Sequence, residues 1–112
     1  MITITDNAKK YLMNSNKTNI IIQLNERINW EGYVTRTAMV LAVKNYVENK
    51  NYIKITINNY NVLVDMYYKE KLENITIDTD EKFFHNSLKI TGIADEIYNY
   101  KFDNSGNIII EY

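Results

Sequence analysis

The stretch Tyr52–Asp80, YIKITINNYNVLVDMYYKEKLENITIDTD, decides the fold. Ile53, Ile55 and Ile57 alternate with Lys54, Thr56 and Asn58, the period of a half-buried strand. Asn58-Asn59-Tyr60-Asn61 then supplies turn residues, since asparagine tolerates positive φ. Val62-Leu63-Val64 follows at once as a second strand. Met66 to Glu73 is polar and aromatic, with room for two helical turns. Ile75 and Ile77 alternate again with Thr76 and Asp78. The unit reads strand, hairpin, strand, short helix, strand, and it contains no obvious chemistry.

On the N-terminal side, Met1–Thr5 reads as a short strand with Ile2 and Ile4 on one face. Thr5 or Asp6 caps a helix whose buried face carries Ala8, Tyr11 and Leu12, and Asn14-Ser15-Asn16 ends it. Ile20–Leu24 is a buried strand. Asn25–Gly32 reads as a polar irregular stretch that holds Arg27, Trp30 and Gly32. From Tyr33 to Val47 the apolar residues fit both a helix and a buried strand; the Thr, Val and Tyr at its ends favour strand. Glu48–Asn51 is a turn. Beyond Asp80 come Phe83-Phe84, a strand through Leu88 and Ile90, Gly92 as punctuation, and alternation at Tyr98, Tyr100 and Phe102. Asp103-Asn104-Ser105-Gly106 turns the chain into a last strand, 107–112, which either extends the sheet or pairs with a second subunit.

A chain of 112 residues with 46% apolar and 24% charged residues has the size and composition of one globular domain spanning 1–112. Its net charge of −1 provides no field for nucleic acid or anionic membranes. Cysteine is absent, which removes disulfides, thiolate metal sites and cysteine nucleophiles together. Neither a signal-peptide core nor a membrane-length apolar run is present, so a soluble, cytoplasmic protein is expected.

Candidates for chemistry are few. His85 is the only histidine and makes no metal site alone; with Asp78, Asp80 or Glu81 it offers a small-enzyme or metal-dependent alternative, against the plainer reading of a surface histidine at a strand end. Phosphate loops, nucleophile elbows and zinc-helix motifs are missing. Tyr67-Tyr68-Lys69 and Tyr98/Tyr100 with Lys101 could stack bases, but most tyrosines are expected in core or interface. Trp30, between Arg27 and Glu31, is either a buried anchor or a binding hot spot.

The opening MITITDNAKKYL resembles the start of the HesB/IscA-like family, the A-type carriers of iron–sulfur cluster assembly. NNYNVLVDMYYKEKLENITID, residues 58–78, is similar to that family's central run of turn, strand, valine-aspartate, short helix and strand. Family members hold iron or a cluster through one cysteine in a G-C-x-G loop and two in a C-terminal C-G-C. Here the loop falls at Ile28–Tyr33: Gly32 and Tyr33 resemble its closing glycine and nearby aromatic, while Trp30 stands where the first cysteine would be. The resemblance implies an α+β, β-rich fold, a small mixed-sheet β-sandwich with one N-terminal helix and a short central helix. With the ligand cysteines gone, it implies a degenerate, non-catalytic member without cofactor or metal, acting on a protein partner or as a homo-oligomer. Arg27, Trp30, Gly32 and Tyr33 form the candidate interaction loop. The Trp30 ring is expected to fold inward and fill the space left by a cluster.

Overall fold

The computed structural model describes residues 1–82 and 85–112, with side chains except at positions 81, 82, 85 and 86. Strand β1 (Ile2–Ile4) leads into helix α1 (Asp6–Asn14). Thr5 caps the helix: its hydroxyl oxygen accepts the Ala8 N–H at 3.1 Å and its own proton goes to Asp78 at 2.7 Å. Ala8 and Leu12 are the buried helix residues, as the i, i+4 spacing requires.

Strands β2 (Asn19–Asn29) and β3 (Tyr33–Val43) make a long antiparallel hairpin, in register from Asn19↔Val43 to Asn29↔Tyr33. β4 (Tyr52–Ile57) and β5 (Tyr60–Asp65) form the central hairpin, turned at Asn58 with φ +50°. After β5 comes a single 3-10 turn, Met66–Tyr68, started by the Asp65 carboxylate accepting the Tyr67 N–H at 2.9 Å. β6 (Ile75–Lys82), β7 (His85–Thr91), β8 (Glu96–Phe102) and β9 (Ile108–Glu111) complete the chain.

Two mixed sheets result. The smaller has the order β1-β6-β7, the larger β4-β5-β2-β3-β8-β9. Each contains one parallel pair, β1 with β6 and β2 with β5. The core lies between them: Ile2, Ile4, Ile75, Ile77 and Leu88 from one sheet meet Ile20, Ile22, Val40, Val62 and Val64 from the other, with Ala8, Leu12 and Tyr68 closing the sides. Asn19 is the buried polar residue at its rim; it donates to the Lys44 carbonyl at 2.7 Å and accepts from Asn61 at 3.0 Å, so β2, β3 and β5 are tied where they begin and end.

Two expectations need correction, and the strand reading of 33–47 holds over most of its length. The irregular stretch from Asn25 is strand as far as Asn29, because every residue there has a cross-strand partner on β3. Its polar residues signal an uncovered sheet end, not a loop. The region 33–47 is strand to Val43 for the same reason, and the remainder is connection. The central helix is one 3-10 turn rather than two helical turns. Tyr68 drops into the core there with 2% of its surface exposed, and the chain leaves the helical path soon afterwards. Phe83-Phe84 lie outside the described residues.

Candidate functional site

The small sheet covers only one end of the large one. The core cluster takes no residue from β8, β9 or positions 25–37 of the long hairpin. The small sheet therefore leaves open the β2–β3 tip and the β8–β9 hairpin, where Val34, between Ile28 and Tyr98, is buried outside the main core, and the candidate interaction loop sits at the extremity of this end.

That loop is a three-residue hairpin turn. Asn29 organises it: its side-chain oxygen accepts the Glu31 N–H at 2.8 Å, its amide donates to the Tyr33 hydroxyl at 3.0 Å, and its carbonyl accepts the Gly32 N–H at 3.2 Å. Gly32 has φ +102°, the conformation that closes such a turn. β8 buttresses the turn from the side, since Tyr100 donates its N–H to the Gly32 carbonyl at 3.0 Å and its hydroxyl to the Asn29 carbonyl at 2.8 Å. Gly32 and Tyr33 are thus turn-building residues, whereas Arg27 and Trp30 face solvent. The expected inward ring does not occur: Trp30 is 93% exposed. A ring at the tip of a hairpin that projects beyond the core has no interior within reach.

Behind the tip lies a cluster that the sequence reading missed. Register places Glu26, Arg36 and Glu96 side by side on β2, β3 and β8. The Arg36 guanidinium is ringed by Tyr67, Tyr98 and Tyr112, with centroids 5.4–5.5 Å away. It donates to Glu26 at 2.7 Å, to the Tyr112 hydroxyl at 3.1 Å and to the Tyr67 hydroxyl at 3.2 Å. Glu96 accepts from Lys71, Tyr67 and Tyr98. The cluster joins the 3-10 turn, the hairpin and the last residue of the chain. Tyr67 and Tyr98 are two of the tyrosines that could stack bases, and here Arg36 occupies one face of each ring. The only sequence cue was an arginine among lysines in a strand of alternating apolar residues, which is too weak to act on.

Lys71 first, then the Tyr67 hydroxyl, pull the Glu96 carboxyl from 4.5 down to about 2. A depressed folded-state pKa contributes stability above the unfolded value, and that contribution disappears as pH falls from 4.5 through 2. Glu96→Gln should therefore be less stable than the native chain at pH 7, with the gap closing across that acid window. Denaturant unfolding at stepped pH reads this directly; a gap of constant size from pH 7 to pH 2 would refute it.

The alternative site does not assemble among the described residues. Asp78 accepts from the Thr5 hydroxyl and the Thr79 N–H at 2.8 Å, and these hold its carboxyl below the usual range. It serves the helix cap. Asp80 lies across from Ser87 in the β6–β7 ladder. His85 pairs with Lys82 at the strand end, and its side chain, like that of Glu81, lies outside the described residues. Among the described residues no three of His, Cys, Asp and Glu converge as metal ligands, and no helix is long and apolar enough to cross a membrane.

The fold is that of the A-type iron–sulfur carriers. It matches Escherichia coli SufA, a protein involved in biosynthesis of iron–sulfur clusters, with a TM-score of 0.56 over 81% of this chain and 79% of that one, at 9% identity. It matches IscA, solved with a [2Fe-2S] cluster, with a TM-score of 0.54 over 82% of each chain, at 12% identity. No curated protein matches the chain. The chain belongs to the CC/Se motif containing family, whose model matches residues 1–93. No cysteine occurs in its 112 residues. The hairpin tip offers an indole, a carboxylate and amides but no thiolate, so its donor set does not fit a cysteine-held cluster.

Proposed function

We propose that this protein is a degenerate, cysteine-free relative of the carriers, non-catalytic, and that it acts by protein–protein contact through the uncovered end of its large sheet. The fold it shares with SufA and IscA supports a role connected with iron–sulfur biosynthesis; the missing thiolates argue against carrying the cluster itself.

One observation carries the reading: the apolar side chains left open at this end. Ile28, Trp30, Ile97, Phe102, Ile108, Ile109 and Tyr112 are all exposed. Register puts Ile28, Phe102 and Ile108 on one face of the sheet and Ile97 and Ile109 on the other, so the surface offered to one partner is Trp30 at the tip together with the Ile28, Phe102 and Ile108 face. Trp30 on a hydrogen-bonded turn and Arg27 two residues before the strand end are of the residue types enriched among interface hot spots.

The experiment replaces Trp30 with a photoreactive benzoylphenylalanine and irradiates the protein in cells. A discrete cross-linked species is expected from position 30 and none from the same replacement at Met13, an exposed residue of α1, the helix whose Ala8 and Leu12 belong to the core. Trp30→Ala itself should leave unfolding stability within about 1 kcal/mol, because nothing packs on the ring. Absence of any discrete adduct from position 30 would end the interface reading.

A further inference from the structure

We infer that β9 is a self-pairing edge, through which two copies of this chain join their large sheets about a two-fold axis at Ile109. The inference rests on reading the uncovered end as an interface, and it assigns the β9 edge of that end to a second copy, separately from the Trp30 tip.

β9 is the last strand of the large sheet, so among the described residues one of its sides has no strand beside it. The hydrogen-bond phase says which groups point there. The Asp103 N–H donates to the Asn107 carbonyl at 2.9 Å, which makes Asp103 and Asn107 a hydrogen-bonded pair. Antiparallel pairs alternate, so Lys101/Ile109 and Asn99/Glu111 are also bonded inward. The N–H and C=O groups of Ile108 and Ile110 therefore point outward, away from β8. Exposed edges are normally guarded by proline, lysine or a bulge. β9 has no proline and no lysine, and its one charge, Glu111, sits at its end. The opposite edge, β4, is guarded by Lys54 in mid-strand.

The occupant follows from the sequence of the edge. Asn107-Ile108-Ile109-Ile110-Glu111 is self-complementary when run antiparallel to itself. With Ile109 facing Ile109 of the second copy, Ile108 and Ile110 fall opposite each other. Their outward N–H and C=O groups are then in phase to make both hydrogen-bonded pairs. Each Asn107 amide lies across from a Glu111 carboxylate that accepts from it, and the two Glu111 charges are kept at opposite ends of the ladder. Neither face meets a like charge directly across the axis. A foreign strand would require none of this symmetry. The exposed Ile108 and Ile109 lie on the seam itself, on opposite faces, and each packs against an isoleucine of the second copy when the sheets join.

Sedimentation velocity and single-cysteine cross-linking test the pairing. The native chain should sediment as a dimer. Because it contains no cysteine, Ile109→Cys places one thiol per copy on the axis. A non-hydrogen-bonded antiparallel pair has Cα atoms about 4.5 Å apart, within disulfide range, so rapid oxidation to a covalent dimer is expected. Val47→Cys, in the β3–β4 connection and more exposed than Ile109 (88% against 42%), should stay reduced under the same conditions. Ile109→Lys, with native circular dichroism, should raise the dissociation constant on the order of 100-fold by setting two ammonium groups face to face. A native chain that is monomeric at about 100 µM, or Ile109→Cys oxidising no faster than Val47→Cys, overturns the pairing. Neither result bears on the Trp30 interface, which cross-linking from position 30 tests alone.

Discussion

Gly92→Ala should be the most damaging small substitution in this protein. Gly92 follows β7 with φ +102°, and a Cβ built there would lie 1.9 Å from the Asn74 carbonyl oxygen and 2.9 Å from its carbon. Both are backbone atoms at the start of β6, so no side chain can rotate away. Relief requires moving β6, whose Ile75 and Ile77 are core residues. The expected loss is at least about 3 kcal/mol, or roughly 12 °C in melting temperature. Gly32→Ala is the matched control. Gly32 has the same φ of +102°, but nothing lies within 4 Å of its Cβ position. It should cost only the backbone strain of about 1–2 kcal/mol. Equal melting temperatures for the two variants would show that the close approach at Asn74 is not what constrains Gly92.

Leu12→Ala should cost about 3 kcal/mol. Leu12 has no exposed surface and belongs to the cluster where α1 closes the side of the two sheets. Its neighbours are strand residues fixed by their ladders, so the cavity cannot collapse. Met13, the next residue, is 72% exposed, and Met13→Ala should change stability by less than about 0.5 kcal/mol. Denaturant midpoints of the pair measure how sharply one helix divides core from solvent.

The α1 face was legible because Ala8 and Leu12 are one turn apart, and an apolar pair at that spacing has one place to go. The same holds for β4, β5 and β6, where alternation with Lys, Thr and Asn states both the strand and its buried side, and for the turns at Asn58 and at 103–106. The 33–47 segment was ambiguous because its apolar residues satisfy either period. Pairing of Tyr33–Val43 with β2 decided the matter, and pairing is a property of two segments.

The sequence by itself determined the elements that bury their own apolar face, the mixed β-rich class, and the absence of thiolate ligands. Tertiary structure alone decided what those elements leave uncovered. Whether Trp30 is core or surface depends on how far the small sheet reaches over the large one, and no residue near Trp30 carries that information. Arg36 meets Tyr67, Glu96 and Tyr112 across up to 76 positions of chain, because three strands and a 3-10 turn converge there. Local patterning records which side of each segment seeks the interior. Where one sheet ends relative to another is set by the sum of all their contacts, and it exists only in the folded chain.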